Sequence, residues 1–591
     1  MKKDIIGIIF VFIILGIVVA IGSNLSLIKS ALFPEAESEK ENAVSISYDD
    51  SDAGTKHLRD NNTLYEDDDG VVTMYLTVRE GNKSEGTNHT WEEINNYSVY
   101  YYDEKNIDRY KVEALLQVGD ENGVSKDDFG YGDTAPNATV QIRGQSSSLN
   151  AQKNYKIELK KNKGSWNGQT TIALNKHMTD GLRFRNKLGF DLLTDIDQLM
   201  SLRTQFVHLY VNDLTDGEDS GFEDYGLYTQ VEQLNKKALR THGLDRAGHL
   251  YKINYFEFQR YEDVIKLATD STYDKKAFEE YLEIKGNEDH SKLIAMLEDV
   301  NDYGLPIETV IEKHFDMENL TYWLAFNILT GNYDTQSRNA YLYSPLNKDT
   351  WYFYCWDLDA SFRKGENDLL SWSEAGSWDQ GVSNYWGNVL FQRCLKSKEF
   401  RQQLDAAVQD IRSHMTRERI KELSDDYSKI ILPYLYSDPD VGFAPLTEDM
   451  YNEVVASLPD LVDVYYQQYL DSLDKPMPFF IGTPQMVGVK INYTWDASYD
   501  FDQEDIVYKV VVARNLECTD IVTSYEGNWT SFSEPYLEPG QYFIKASARN
   551  QSGKVQDAFD TIETENGKEY GIMCFYVNLD GTVTRSEYLK D

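Results

Sequence analysis

The apolar residues of this chain change period along its length, and that change limits the folds open to it. Val71-Val-Thr-Met-Tyr-Leu-Thr-Val alternates as a strand does, and so do Val140-Gln-Ile-Arg, Tyr155-Lys-Ile-Glu-Leu, Thr204 to Val211 and Tyr225 to Val231. Met178 to Thr194 interrupts them with helical spacing at Leu182, Leu188, Leu192 and Leu193. From about Lys275 to Leu329 the period is helical, through Phe278, Leu293, Leu297, Ile311, Leu320 and Leu324, and it resumes over 388 to 474 through Phe400, Leu404, Ile420 and Ile430. After Lys475-Pro-Met-Pro alternation returns at Val487 to Tyr493, Ile506 to Ala513, Gln541 to Ala548 and Gly571 to Asn578. The expectation is an α+β chain: a β-rich part, a mostly helical part, then an all-β sandwich module.

The 591 residues suffice for roughly three to four domain-sized units. A formal net charge of −40 removes nucleic acid from the expected partners, because neutralising phosphates takes a basic face. Cys355, Cys394, Cys518 and Cys574 show no C-x-x-C spacing and the histidines no H-E-x-x-H, so neither a zinc site nor a disulfide framework is expected. Lys2 and Lys3 precede the uncharged run Ile5 to Gly22, which reads as an N-terminal membrane anchor with the bulk of the chain extracytoplasmic, or as a cleaved signal with the protein secreted. Residues 23 to 69 read as an acidic flexible stalk, 70 to 475 as the main domain and 476 to 591 as the sandwich module.

The oxygen ligands of chemical interest gather between 327 and 362. Asp334 and Asn339 stand before one aromatic strand and Asp357 and Asp359 at the end of the next, so a hairpin brings them to one rim. Asp357 and Asp359 share a face if the strand persists, and two carboxylates so close call for a divalent cation. Read alone, Asp334 and Asn339 also suit a capped turn. Upstream, Arg143-Gly144-Gln145-Ser146-Ser147-Ser148 lies between two strands, where backbone N–H groups, hydroxyls and a guanidinium can cradle a polyphosphate. Lys153 and Lys156 follow, and alternation turns Lys156 away from Tyr155 and Ile157.

Taken together, Arg143-Gly-Gln-Ser-Ser, Lys153-Asn-Tyr-Lys-Ile-Glu-Leu, Tyr225-Gly-Leu-Tyr-Thr-Gln-Val-Glu, Asn332-Tyr-Asp-Thr-Gln-Ser-Arg-Asn-Ala-Tyr-Leu-Tyr and Trp356-Asp-Leu-Asp resemble the spore-coat protein H (CotH) kinase family, over about residues 70 to 475. The resemblance implies an atypical, two-lobed protein-kinase-like fold that uses ATP with Mg or Mn to phosphorylate Ser or Thr of a surface, spore-coat or secreted protein. It implies Asp334 as the catalytic residue at the acceptor hydroxyl, Asn339 and Asp357 as metal ligands with Asp359 in support, and Arg143 to Ser147 with Lys153 or Lys156 at the phosphates. Glu232 would seat the adenine or merely cap its strand. The segment Leu537 to Lys554 resembles the late strands of fibronectin type III-like modules. Two rival readings draw on other features: a non-catalytic adhesin or scaffold, from the C-terminal β module, and a glycan-binding protein, from Trp372, Trp378 and Trp386.

Overall fold

The computed structural model describes residues 56–65, 70–371, 378–564 and 567–585. Strands β1 (Val71–Arg79), β2 (Val112–Asp120), β3 (Gly123–Val124), β4 (Ala138–Arg143), β5 (Asn154–Leu159), β6 (Thr171–Asn175), β7 (Thr204–Asp213) and β8 (Glu223–Glu232) form one sheet in the order β1-β7-β8-β6-β5-β4-β2-β3. β1 runs parallel to β7 and also pairs antiparallel with β2, so the sheet closes into a ring and leaves no long edge exposed. Met74, Leu76, Val140, Ile142, Tyr155, Ile157, Val207 and Leu209 fill its interior. Two short helices, Trp91–Asn96 and Val99–Lys105, add Trp91, Ile94, Val99 and Tyr102 to the same core. By alternation Gln141, Arg143 and Lys156 face outward, and the register sets Gln141 beside Lys156 and Arg143 beside Asn154.

The helix expected across Met178 to Thr194 begins only at Arg185 and runs to Leu193. Buried Asp180 causes the delay. Its carboxylate accepts from the backbone N–H of Leu182 (3.0 Å) and Arg185 (3.1 Å) and pairs with the Arg185 guanidinium, which fixes the preceding residues as a turn.

The helical part is built around a second sheet of β9 (His249–Ile253), β10 (Leu282–Ile284), β11 (Ala340–Ser344) and β12 (Tyr352–Cys355), in the order β10-β9-β11-β12. The helix Met317–Leu329 covers the edge of β12, where the Asn319 side chain accepts from Phe353 N–H (2.7 Å) and donates to its carbonyl (3.2 Å). Helices Lys398–His414, Arg417–Leu435 and Glu448–Leu473 complete a single apolar core with this sheet. Pro433 and Pro459 lie inside the last two, a known source of helix bending.

Residues 56–65, within the stretch that reads as stalk, lie against this body. Asp60 pairs with buried His242 (2.7 Å), and Arg59 pairs with Glu318 (2.9 Å). The expected membrane anchor is a correction. Among the described residues no helix is long and apolar enough to cross a membrane, and Ile5 to Gly22 lie outside the described residues.

The C-terminal region is β-rich, as expected. The single strand anticipated over Val487 to Tyr493 is two, Gln485–Val487 and Lys490–Thr494, because Gly488 turns the chain at φ +64°. A three-stranded and a larger sheet share the core of Ile491, Tyr493, Val510, Ile544 and Phe575. This region packs on the helical part through aromatic rings: Trp386 stacks on Tyr499 (5.4 Å) and Trp378 meets Phe559 edge-on (5.1 Å). Both tryptophans are therefore buried and offer no open platform for a sugar ring, against the glycan-binding expectation. Trp372 lies outside the described residues.

Candidate functional site

The β11–β12 hairpin pairs Ala340 with Cys355, so Asn339 enters the ladder beside the point where Asp357 leaves it. Both residues adopt left-handed backbone, φ +56°, a conformation that Asn and Asp tolerate better than most side chains. The turn after Asp357 is held from outside. Leu358 N–H donates to Asn186 Oδ1 (3.0 Å), and Leu358 presses on Gly189, where a Cβ would stand 2.8 Å away. The helix Arg185–Leu193 thus aims the carboxylate through one amide and one missing side chain.

Among the described residues Asp357 makes no hydrogen bond or ion pair within 4.0 Å, and Asn339 makes none either. Burial, with the nearby Asp359 charge, pushes the Asp357 carboxyl up to about 6. Asp359 is different. Burial also opposes its charge, but the hydrogen bond and charge of His177 (3.5 Å) and the Arg363 guanidinium hold it below the usual carboxylate range. One carboxylate is provided for and the other is not.

Arg143, at the end of β4, bonds the Asn175 side chain and brings its charge to bear on Asp357. Burial lowers Arg143, and Asp357 opposes that lowering. Lys252 of β9, in the helical part, is lowered by burial, and the charges of Glu283 and then Asp357 oppose that lowering. The ring-shaped sheet and the helical part therefore each bring a cation into the electrostatic field of one anion that has no ion pair of its own.

The segment after Arg143 is a compact loop. Gly144 has φ +89°, and a Cβ there would run into Ser147 Oγ, 2.0 Å away, so only glycine fits. Ser147 Oγ accepts from the Asn154 side chain (3.1 Å), and Ser148 Oγ accepts from Val99 N–H (3.0 Å). Gln145 and Ser146 are exposed. Lys153 Nζ donates to Ser148 O (2.8 Å) and so fastens the loop, while Lys156 pairs with Glu158 (2.8 Å) two residues along the outward face.

Asp334 sits in the turn Tyr333–Thr335 after the helix Met317–Leu329, half exposed and paired with Arg338 at 2.5 Å. Three hydrogen bonds from one segment brace this turn. Asn384 donates to Tyr333 O (3.0 Å), Asn388 to Gln336 O (2.8 Å), and the Thr335 and Tyr385 hydroxyls share the third (2.7 Å). Glu232 stands apart from this group. It is buried in an ion network with Arg203 (2.6 Å) and His242 (3.1 Å), and those bonds outweigh burial to hold it at about 2.

The structure thus gathers Arg143, Asp357 and Asp359, with Asn339 at the same hairpin rim. It adds two residues absent from the sequence reading, Lys252 and His177. The alternation His249-Leu-Tyr-Lys-Ile marks a strand, yet nothing local tells what its lysine faces. His177 lies in the turn before the helix and meets Asp359 only through the fold.

The chain matches the family model described as CotH kinase protein over residues 140–467, more than half of its length. It is also 24% identical over 306 residues to the inner spore coat protein H of Bacillus subtilis (strain 168), covering 51% of this chain and 78% of that protein. The match to the model stops short of the C-terminal β region, and the fibronectin-like reading of that region is not confirmed.

Proposed function

Since the chain belongs to the CotH kinase protein family, we propose that it transfers the γ-phosphoryl group of ATP, with Mg or Mn, to a Ser or Thr hydroxyl of a spore-coat or surface protein. The observation that carries this reading is the Asp357 carboxylate, left without an ion pair beside Asn339 at the hairpin rim and acted on by the charges of Arg143 and Lys252. A half-buried carboxylate without a partner is costly, and so is an unpaired ammonium near it. A metal–polyphosphate complex satisfies both: Asp357 and Asn339 suit the cation by their oxygens, and Arg143 suits a phosphate by its fork of N–H donors. The two-lobed kinase reading of the fold rests on the same arrangement, one part supplying Arg143 and the other the hairpin.

The metal, when bound, neutralises charge that develops on the phosphates. The residues of the chain do the rest. Asp334 accepts the proton of the acceptor hydroxyl as that oxygen bonds to phosphorus and the bond to the β-phosphate oxygen breaks, leaving ADP. Arg338 holds the Asp334 carboxylate in one orientation, and the Asn384, Tyr385 and Asn388 bonds hold the turn. Arg143 and the loop around Gly144 keep the nucleotide in register.

The test is incubation of the chain with γ-labelled ATP, Mg or Mn and coat or surface protein extracts, beside Asp334→Ala and Asp357→Ala. Label on protein from the unmutated chain, lost in both variants, is the expected result. Absence of ATP binding and of transfer with either metal overturns the reading.

A further inference from the structure

Among the described residues Lys252 is the one cation of the site that stands without a hydrogen-bond or ion-pair partner. Among the described residues it makes no hydrogen bond or ion pair within 4.0 Å; its ammonium lies 5.9 Å from the centre of the Trp356 ring, immediately before Asp357. The register sets it between Glu283 of β10 and Tyr341 of β11. Glu283, the acid nearest in the ladder, is bonded to Lys285 instead. The charges that face Lys252 are Glu283, Asp357, Arg143 and Lys285. The other lysines of the site have partners, Lys153 at Ser148 O and Lys156 at Glu158. A half-buried ammonium whose nearest acid is bonded to another lysine, and which shares its space with a guanidinium, is arranged for an anion from outside.

Its place in the fold says which part of that anion. β9 pairs directly with β11, the strand that follows Asp334 and Asn339, so Lys252 belongs to the acceptor end of the site. Arg143 and the Gly144 loop belong to the other side, on the ring-shaped sheet. We propose, resting on the kinase reading above, that Lys252 binds the γ-phosphoryl group of ATP and stabilises the charge on its oxygens during transfer, while Arg143 serves the phosphates that leave with ADP.

The test compares nucleotides. Lys252→Met keeps the apolar stem over Trp356 and removes the charge; Lys252→Arg keeps the charge. Binding of ATP and ADP in the presence of Mn is measured by calorimetry for the unmutated chain and both variants, with transfer measured alongside. The Met variant is expected to weaken ATP binding at least about tenfold, leave ADP binding unchanged, and slow transfer about a hundredfold or more; the Arg variant is expected to recover part of each. Equal losses for ATP and ADP, or no loss of either, overturn the assignment while the kinase reading stands. An unmutated chain that binds neither nucleotide overturns both. Melting curves of the variants identify a fold failure, and in that case the Arg variant decides by its ATP-to-ADP ratio.

Discussion

Two charged clusters of this molecule have similar composition and opposite accounting. At the base of the ring-shaped sheet, Asp60, Glu232, His242 and Arg203 form a closed network in which every charge has an opposite neighbour. At the hairpin rim, Arg143, Lys252 and Asp357 face one another without closing a single ion pair. Buried charges persist where they are paired, so the first cluster accounts for itself as structure. The second closes no such network on its own, and the ligand proposed above would complete it. The contrast separates Glu232 from the other residues singled out in the sequence: it belongs to the closed cluster.

The largest way to break this comparison is Asp357→Asn. Transfer is expected to fall by about a thousandfold or more. Without metal, the melting temperature is expected to hold or rise at neutral pH. A carboxyl raised from 3.8 to about 6 on folding makes the protein less stable as pH climbs through that window, and Asn removes this loss. The advantage of the variant should therefore vanish below about pH 4, as melting curves across pH will show.

Next in size, His242→Ala leaves Asp60 buried without its cation and Glu232 with Arg203 alone, and is expected to destabilise the fold by about 3–5 kcal/mol in urea unfolding. The nucleotide affinity of the folded molecules should not change. If it falls with stability intact, the two clusters are one and the comparison fails.

A smaller effect sharpens it through pH. Asp60 and Glu232 raise His242 from 6.5 to about 10 against the cost of burial, so its stabilisation is full below 6.5 and is lost as pH rises through about 10. Glu232, lowered from 4.5 to about 2, gives stability that is full above 4.5 and is lost as pH falls through about 2. Unfolding free energy should decline between pH 7 and 10 in the unmutated chain, and less steeply in His242→Ala.

Smallest is Tyr385→Phe, which removes one brace of the Asp334 turn, a bond worth about 0.5–1.5 kcal/mol. It should slow transfer a few-fold and leave metal binding untouched, since the turn after Asp357 is held at Leu358 N–H by Asn186 instead. Equal losses in both would show that the two carboxylates share one support.

The half of the site carried by a local pattern was legible in the sequence. Asp334, Asn339 and Asp357 stand around two aromatic strands, and the period-two reading of residues 340 to 355 brings the last two to one rim without further knowledge. Arg143 and Gly144 announced a tight loop by composition. Lys252 and His177 were hidden because their meaning is a neighbour far along the chain, Asp357 for one and Asp359 for the other. Apolar periodicity starts the helix before β7 too early for a related reason. Its apolar spacing starts before Arg185, but a buried carboxylate at Asp180 holds the chain in a turn, and periodicity does not register a hydrogen bond. The tryptophans at 378 and 386 misled in the same way, because exposure is decided by what packs on them.

The closed ring of strands sets the order in which this protein can be made. β1 is among the first strands synthesised, yet one of its two partners, β7, is separated from it by most of the sheet in sequence. Until β7 is synthesised, β1 offers a bare edge on that side, the kind of surface on which nascent chains associate wrongly. Loop closure over such a span is slow, so ring completion is a late event of folding. A chain interrupted between β6 and β7 retains an open, sticky sheet rather than a smaller working one.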